Sequence, residues 1–486
     1  MKFVNRTGAA HQLQGIMAQP GSSLVVVWGR RRVGKSRLLV EWCKKYSGLY
    51  FMADESSADL LRQSLCRTLA ERLTGFAHVR FDDWASLFTH LAQCAAAAKW
   101  RGPLVIDELP YLALASPEIG SVLQRFVDQQ ARSAGLVLAV AGSSQQMMQG
   151  LVLQATAPLF GRARALLHLR PISAGYIGEA LHLKSPREQI EVYALLGGMP
   201  HYWDLFGQPR GDAAAVIEQL VLNPDGVLHN EPDRLLRDEI PSAINLRPIL
   251  DAIGQGAHRV SEIAARAGLS ATSLARPLMR LQELDLVFRE TPFGTDAKNG
   301  KKALYKISDP FFSWWFRVVA PNRSSFATMP AALRRALLYK QWPAICSAVW
   351  EDLCRSALPT LKHGLPTSAL FLPAKRYWQG NAPEWDLVSL SMDKSAAILG
   401  EAKWKQKPCD AAFIQHAARH LRARTPPPSL PTDHLYYLLF VPERPRGSPR
   451  VVDGVSIIDA KAVLKALLEP QSSVTRTGHQ AVGKKQ

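Results

Sequence analysis

The chain has 486 residues, of which 47% are hydrophobic and 21% charged, and carries a formal net charge of +18. That length exceeds a single core of about 100 to 200 residues and implies three or four domains, while the composition excludes a disordered or fibrous chain. The cationic excess is the footprint expected of a polyanion binder, with nucleic acid as the leading partner, solvated Lys and Arg faces being the other reading.

A Val-rich stretch from Leu24 to Trp28 reads as a buried strand, followed by a basic loop and a helix from Ser36 to about Lys45. Between strand and helix, Gly29-Arg30-Arg31-Arg32-Val33-Gly34-Lys35-Ser36 satisfies GxxxxGK[ST] in the context that gives the pattern meaning. Glycines let backbone N–H groups turn inward around phosphate, and the helix N-terminus adds partial positive charge. These eight residues and Arg37 are therefore expected to surround ATP, with Lys35 on the β- and γ-phosphates and the Ser36 hydroxyl on Mg2+. A second apolar run, Leu104 to Ile106, ends in Asp107 and Glu108, assigned to the metal and to the attacking water respectively. A third, Leu136 to Ala141, ends in Gly142-Ser143-Ser144. Strands alternating with helices imply a parallel α/β sheet.

After Pro171 the pattern turns helical to about residue 240, broken by Gly197-Gly198-Met199-Pro200, and reads as a helical lid. Residues 247–254, 260–267 and 271–284 read as three short helices, with Gly268-Leu269-Ser270 as a helix-turn-helix turn. Two strand-like runs, Leu286 to Glu290 and Ala303 to Ile307, would add a wing. Arg276 and Arg280 on the third helix, with Lys298, Lys301 and Lys302 in the wing loop, are the candidate phosphate contacts, an intramolecular lid being the other reading of this winged helix. The aromatic run from Phe311 to Phe316 reads as a packing anchor.

The segments WGRRRVGKSRLL, LVIDELPYL, VAGSSQQMM, PLFGRA and LGGMPHY resemble, over about residues 1–240, the archaeal-type ATPase family, a branch of the AAA+ and STAND P-loop NTPases. The resemblance implies a polar sensor at Ser143 or Ser144 and places Pro200 near the adenine. It also implies that Arg162 of LFGRA is an arginine finger reaching a neighbouring subunit of a homo-oligomer; a local pair with an acidic side chain is the other reading. Phe3-Val4-Asn5-Arg6 matches the family's opening box, but Thr7-Gly8-Ala9-Ala10 replaces the acidic residues that usually follow.

Near the C-terminus two strand-like runs joined by a short turn would bring Asp386 beside Glu401. The two carboxylates could share a hard divalent cation, with Lys403 on the same strand face to orient water. Together with the preceding helix around Glu351 and the helix and strands that follow, this resembles the PD-(D/E)XK nuclease superfamily over about residues 345–468. The resemblance implies a restriction-endonuclease-like fold, Glu351 as its helix acid, and metal-dependent cleavage of DNA. A retained fold without cleavage, serving an ATP-dependent regulator, is the alternative.

The expected organisation is an ATPase domain at 1–185, a helical lid at 186–242, a winged helix at 243–318, a linker at 319–344, a nuclease-like domain at 345–470 and a disordered tail at 471–486. Six cysteines, at 43, 66, 94, 346, 354 and 409, show neither a CxxC pair nor zinc-type spacing. No window approaches the roughly 18 consecutive apolar residues of a membrane span, and no signal-peptide core follows Lys2. A cytoplasmic ATPase is the expectation.

Overall fold

The computed structural model describes residues 6–19, 21–207, 212–239, 246–296, 302–366, 369–380, 382–428, 430–431 and 433–468. Phe3 to Asn5, Lys298, Lys301 and the expected tail at 471–486 lie outside the described residues. Two compact units divide the chain: Met1–Ile172 with Ile177–Val349, and Ser173–Tyr176 with Trp350–Gln486.

The first unit is built on a five-stranded sheet of β1 (Ser23–Trp28), β2 (Leu49–Met52), β3 (Pro103–Asp107), β4 (Val137–Gly142) and β5 (Ala163–His168), in the order β2-β3-β4-β1-β5. Every neighbouring pair is parallel. Central strands of such a sheet are covered on both faces and need apolar residues at every position rather than every second one. Accordingly β3 and β4 are buried throughout, as is β1 up to Trp28. The two strands not foreseen are β2, only four residues long, and the edge strand β5, whose Ala-Arg-Ala-Leu-Leu-His sequence alternates between partly buried and exposed positions. Neither carries the β-branched run that marks the others.

Beyond β5 come the helices Pro186–Leu196, Pro200–Phe206, Ala213–Ile217 and Glu231–Glu239. Three more segments follow, Arg247–Gly254, Val260–Ala267 and a 3-10 turn leading into Ala275–Glu283, and then the antiparallel hairpin of β6 (Val287–Glu290) and β7 (Leu304–Ile307). Gly268 closes the second helix in the left-handed conformation with φ +66, and Ser270 opens the third segment by accepting the Ser273 N–H. These are the positions where glycine and serine are favoured for those reasons. Leu274, Leu278 and Leu281 turn the apolar side of the third helix inward, leaving Arg276 exposed.

The aromatic run is an anchor. Phe311, Phe312, Trp314, Trp315 and Phe316 are all buried, and two indole N–H groups donate across the unit, Trp314 to the Leu195 carbonyl and Trp315 to that of His229, each at 2.8 Å. Each such ring contributes about 1.5 to 3 kcal/mol of apolar burial, and its N–H would be costly if left unsatisfied.

The stretch expected as a linker over 319–344 is mostly helical: short helical turns run to Phe326, residues 327–330 are a non-helical break, and Ala331–Ala357 is one helix of 27 residues with Pro343 inside it. Pro321 and Pro330 suggested a longer break. A proline at a helix start, however, loses no hydrogen bond, and Pro330 directly precedes Ala331.

The second unit holds a six-stranded mixed sheet of β8 (Lys375–Tyr377), β9 (Trp385–Leu390), β10 (Ala397–Ala402), β11 (Leu435–Val441), β12 (Val451–Val452) and β13 (Val455–Asp459), ordered β12-β13-β11-β10-β9-β8. Within it β10, β11 and β13 are parallel, while β9 is antiparallel to β10 in the register Gly400↔Leu387. The next pair in that register is Glu401 and Asp386.

Candidate functional site

The phosphate loop leaves β1 at Gly29, whose φ of +147 and whose distance of 2.4 Å from a would-be Cβ to the Leu169 carbonyl oxygen exclude any side chain. Gly34, at φ +97, turns the chain into the helix Lys35–Lys45, while Val33 plugs the core between them. Lys35 is 5% exposed, and its ammonium donates to the carbonyls of Gly29 at 2.9 Å and Arg30 at 3.2 Å. The lysine charge is thus folded back onto the loop's own carbonyl oxygens.

The arginines of the loop diverge. Arg31 donates to the Tyr111 hydroxyl at 2.7 Å and Arg32 pairs with Glu231, and both line a cavity of about 290 Å³ with Lys35, Ser36 and Glu108. Arg30 turns instead to Asp309 and is not among the residues that line the cavity. Arg37 also borders the cavity, near Glu41 at 3.4 Å.

Asp107, at the end of β3, is wholly buried: one carboxylate oxygen accepts the Glu108 N–H at 2.9 Å and the other the Tyr50 hydroxyl at 2.6 Å. Burial, then the neighbouring Asp107 charge, raises the Tyr50 phenol well above its ordinary value, so it stays a donor. The nearby Ser36 side chain acts in the opposite direction and lowers it. Glu108 adopts φ +53, a left-handed conformation uncommon for a residue with a side chain and often retained at functional positions. Its carboxylate accepts from Ser143, from the hydroxyl at 3.0 Å and the N–H at 3.3 Å. Of the serine pair only Ser143 reaches Glu108; Ser144 Oγ instead accepts the Met147 N–H at 3.4 Å.

Pro200 borders the same cavity and packs on the phosphate loop, 3.7 Å from where a Gly34 Cβ would stand. It is held there because Gly198 approaches Ile172 so closely, carbonyl to N–H at 2.6 Å, that a Cβ would collide. Arg162 lies elsewhere, its Nε 2.8 Å from Asp128 and its Nη1 on the Pro158 carbonyl. The local pair is the arrangement the structure records.

Sequence reasoning overlooked Tyr50, His201, Asp204, Glu231 and Asp309, and gave Arg6 no role beyond the opening box. Arg6 bridges the Arg170 and Val33 carbonyls and borders the cavity beside His201 and Asp204, and burial lowers its guanidinium to about 10. The Arg6 box and the LGGMPHY segment around His201 offered a signal in the sequence; the rest are isolated polar residues in helical or apolar context.

In the second unit Asp386 on β9 accepts the Ala402 N–H at 3.0 Å. Burial, with the nearby Glu401 charge, raises its carboxyl. Glu401 on β10 is 4% exposed; burial pushes its carboxyl up, but Lys403 at 2.5 Å and Arg424 at 2.9 Å, both on Oε1, bring it below the ordinary value. Its Oε2 is buried without a hydrogen-bond partner. Glu351 faces the same spot from the long helix, pushed up to about 7 by burial and then by the Asp386 charge. Among the described residues no group of three or more His, Cys, Asp or Glu side chains is arranged to hold a metal ion, and no helix is long and apolar enough to cross a membrane.

Residues 3–205 match a family model described as an ATPase domain predominantly from Archaea, and residues 315–416 one described as archaeal and bacterial proteins of unknown function. The second match runs from the aromatic anchor past Glu401 and Lys403. An uncharacterized protein of Methanocaldococcus jannaschii is 27% identical over 404 residues, spanning 83% of this chain and 88% of its own length. Among solved structures, a Walker-type ATPase of Pyrococcus abyssi is similar at 19% identity and a TM-score of 0.49, over 65% of this chain and 96% of its own. The Aeropyrum pernix ORC2 protein, solved in ADPNP-ADP complexes, is similar at 11% identity and a TM-score of 0.41, over 71% of this chain and 95% of its own.

Proposed function

We propose that the archaeal-type ATPase domain of this chain binds ATP at Gly29 to Ser36, hydrolyses it with Glu108 directing the attacking water, and uses nucleotide state to control nucleic-acid binding and metal-dependent cleavage. The observation that carries this reading is the Lys35 ammonium held on the loop carbonyls at 2.9 and 3.2 Å, a charge whose partners phosphate oxygens can replace. The Ser36 hydroxyl and the buried Asp107 carboxylate both lie near the Tyr50 phenol, and a hydroxyl with one carboxylate is a donor set that fits magnesium, which retains waters and takes few carboxylates. When bound, magnesium would neutralise charge on the β- and γ-phosphates. Glu108 leaves Ser143 to orient water, and Ser143 then contacts phosphate.

The three helices and hairpin of residues 247–307 act as a winged helix-turn-helix, with Arg276 and Lys302 on exposed positions as phosphate contacts. In the second unit the unpartnered Glu401 Oε2 beside Asp386 offers two carboxylates to an oxygen-liganded cation whose remaining ligands would be water and phosphate, and Lys403 stands ready for the scissile phosphate. One observation favours a second reading, a non-cleaving ATP-dependent regulator: Arg424 joins Lys403 on Glu401 Oε1, so two cations already balance that carboxylate.

The test incubates the full chain with supercoiled plasmid, magnesium or manganese, with and without ATP, and follows nicking and phosphate release together. Metal-dependent nicking supports cleavage. Phosphate release without nicking in any metal assigns the regulator, and absence of phosphate release overturns the ATPase reading.

A further inference from the structure

Arg30 belongs to the phosphate loop by sequence, yet its guanidinium is 3% exposed and lies 3.0 Å from the carboxylate of Asp309, 279 residues further on. Asp309 is equally buried, and its other oxygen accepts the Phe311 N–H at 3.0 Å. The pocket around it is shaped for that carboxylate: Gly197 has φ +60, and a Cβ there would stand 2.8 Å from Asp309 Oδ1. The ring of Phe312 lies 4.9 Å from the Arg30 guanidinium. A parallel arrangement holds the loop two residues later, where Arg32 pairs with Glu231, whose carboxylate also accepts the Tyr202 hydroxyl at 3.2 Å.

Stability alone does not account for such a pair. Desolvating two charges offsets most of their attraction, and apolar residues of similar volume commonly serve a core as well or better. What a charge pair adds is a fixed position for each partner. The Arg30 carbonyl is one of the two oxygens that hold the Lys35 ammonium, so the residue clamped by Asp309 also contributes to the seat the lysine leaves when phosphate arrives. At the other end, Asp309 lies two residues past β7, and the intervening Ser308 N–H donates to the Leu286 carbonyl at 2.9 Å, at the foot of β6.

We propose that Asp309 is a positioning residue for nucleotide binding: it clamps Arg30, holds the phosphate loop in its receptive curvature, and joins ATP occupancy to the β6–β7 hairpin. This rests on the ATP reading of the loop. Because the loop and the hairpin share one buried ion pair, whatever ATP binding does to the hairpin, a ligand on the hairpin does to ATP affinity.

The test is an equilibrium titration of the full chain with a fluorescent ATP analogue and magnesium, together with steady-state turnover and hydrogen exchange of the β6 and β7 amides with and without ATP. Arg30→Met combined with Asp309→Leu removes both charges and so avoids leaving one buried alone, while Asp309→Asn keeps the shape and weakens the clamp. The double variant is expected to melt no lower than wild type, to bind ATP about tenfold more weakly, a loss typical of directly interacting residues, and to show no ATP effect on hairpin exchange. Its KM should rise while turnover at saturating ATP is retained, the mark of lost binding rather than lost chemistry. Asp309→Asn should fall between, and it decides the question if the double variant does not fold. Wild-type affinity together with wild-type ATP-dependent exchange in the variants overturns the clamp and leaves the ATP site intact. A wild-type chain that binds no ATP overturns both.

Discussion

The phosphate loop and the C-terminal carboxylates both bring cations and buried acids together, but they satisfy those charges differently. At the loop, Lys35 rests on two neutral carbonyls and Glu108 on a serine, partners that a charged ligand can displace at modest cost. At the carboxylates, Glu401 is held by two full positive charges, and Asp386 caps a strand N–H. A ligand entering the first site exchanges weak bonds for strong ones; a cation entering the second must compete with Lys403 and Arg424. The first holds its charges through neutral partners, the second through opposite charges.

Four experiments sharpen or break that contrast. The largest effect is expected from Glu108→Gln, which should keep ATP affinity and lower turnover by roughly 10² to 10⁴, the usual range for a lost general base. Phosphate release measured in a single turnover checks it, and normal release would remove Glu108 from the chemistry. Lys35→Ala should weaken ATP binding by about 10², consistent with the loss of one or two charge-assisted hydrogen bonds, as read by the same fluorescent titration.

In the second unit, Lys403→Ala should abolish most nicking and leave ATP turnover unchanged. Asp386→Asn should lose nicking in a way that raised magnesium or manganese partly restores, since it alters the metal seat and not the group on the scissile phosphate. Equal loss in both without metal rescue would fit a charge network with no cation. The smallest effect concerns nucleic acid. Replacing Arg276 and Arg280 with Ala should reduce the slope of log affinity against log salt by about one to two, at close to 0.9 per released duplex phosphate contact. Arg280 shares its charge with Glu283 at 3.0 Å, so Arg276 should account for more of the change. An unchanged slope would show that this helix does not face nucleic acid.

Legibility followed locality. The phosphate loop, the Asp107-Glu108 strand end and the β6–β7 hairpin are each specified within a few consecutive residues, by glycines, apolar runs and turn residues whose physics is local, and they stand where the sequence puts them. Asp386 and Glu401 were legible because a short turn fixes their strands in register. Asp309, Glu231 and Tyr50 were not, since each acts on a residue far away in the chain and sits in a stretch whose local pattern speaks only of burial. The long helix from Ala331 was hidden for the same reason: proline has a local meaning that a helix start can absorb.

The claim on which the rest depends is that ATP at the loop changes how the chain holds nucleic acid. It is tested most directly by measuring duplex DNA affinity of the Glu108→Gln protein, at one salt concentration, with and without magnesium-ATP, and of Lys35→Ala alongside. The expected result is a several-fold shift with ATP in the Glu108 variant, reciprocated by an equal shift in ATP affinity when DNA is present, and no shift in Lys35→Ala. Identical DNA affinity with and without ATP in the Glu108 variant, under conditions where ATP is bound, would contradict it.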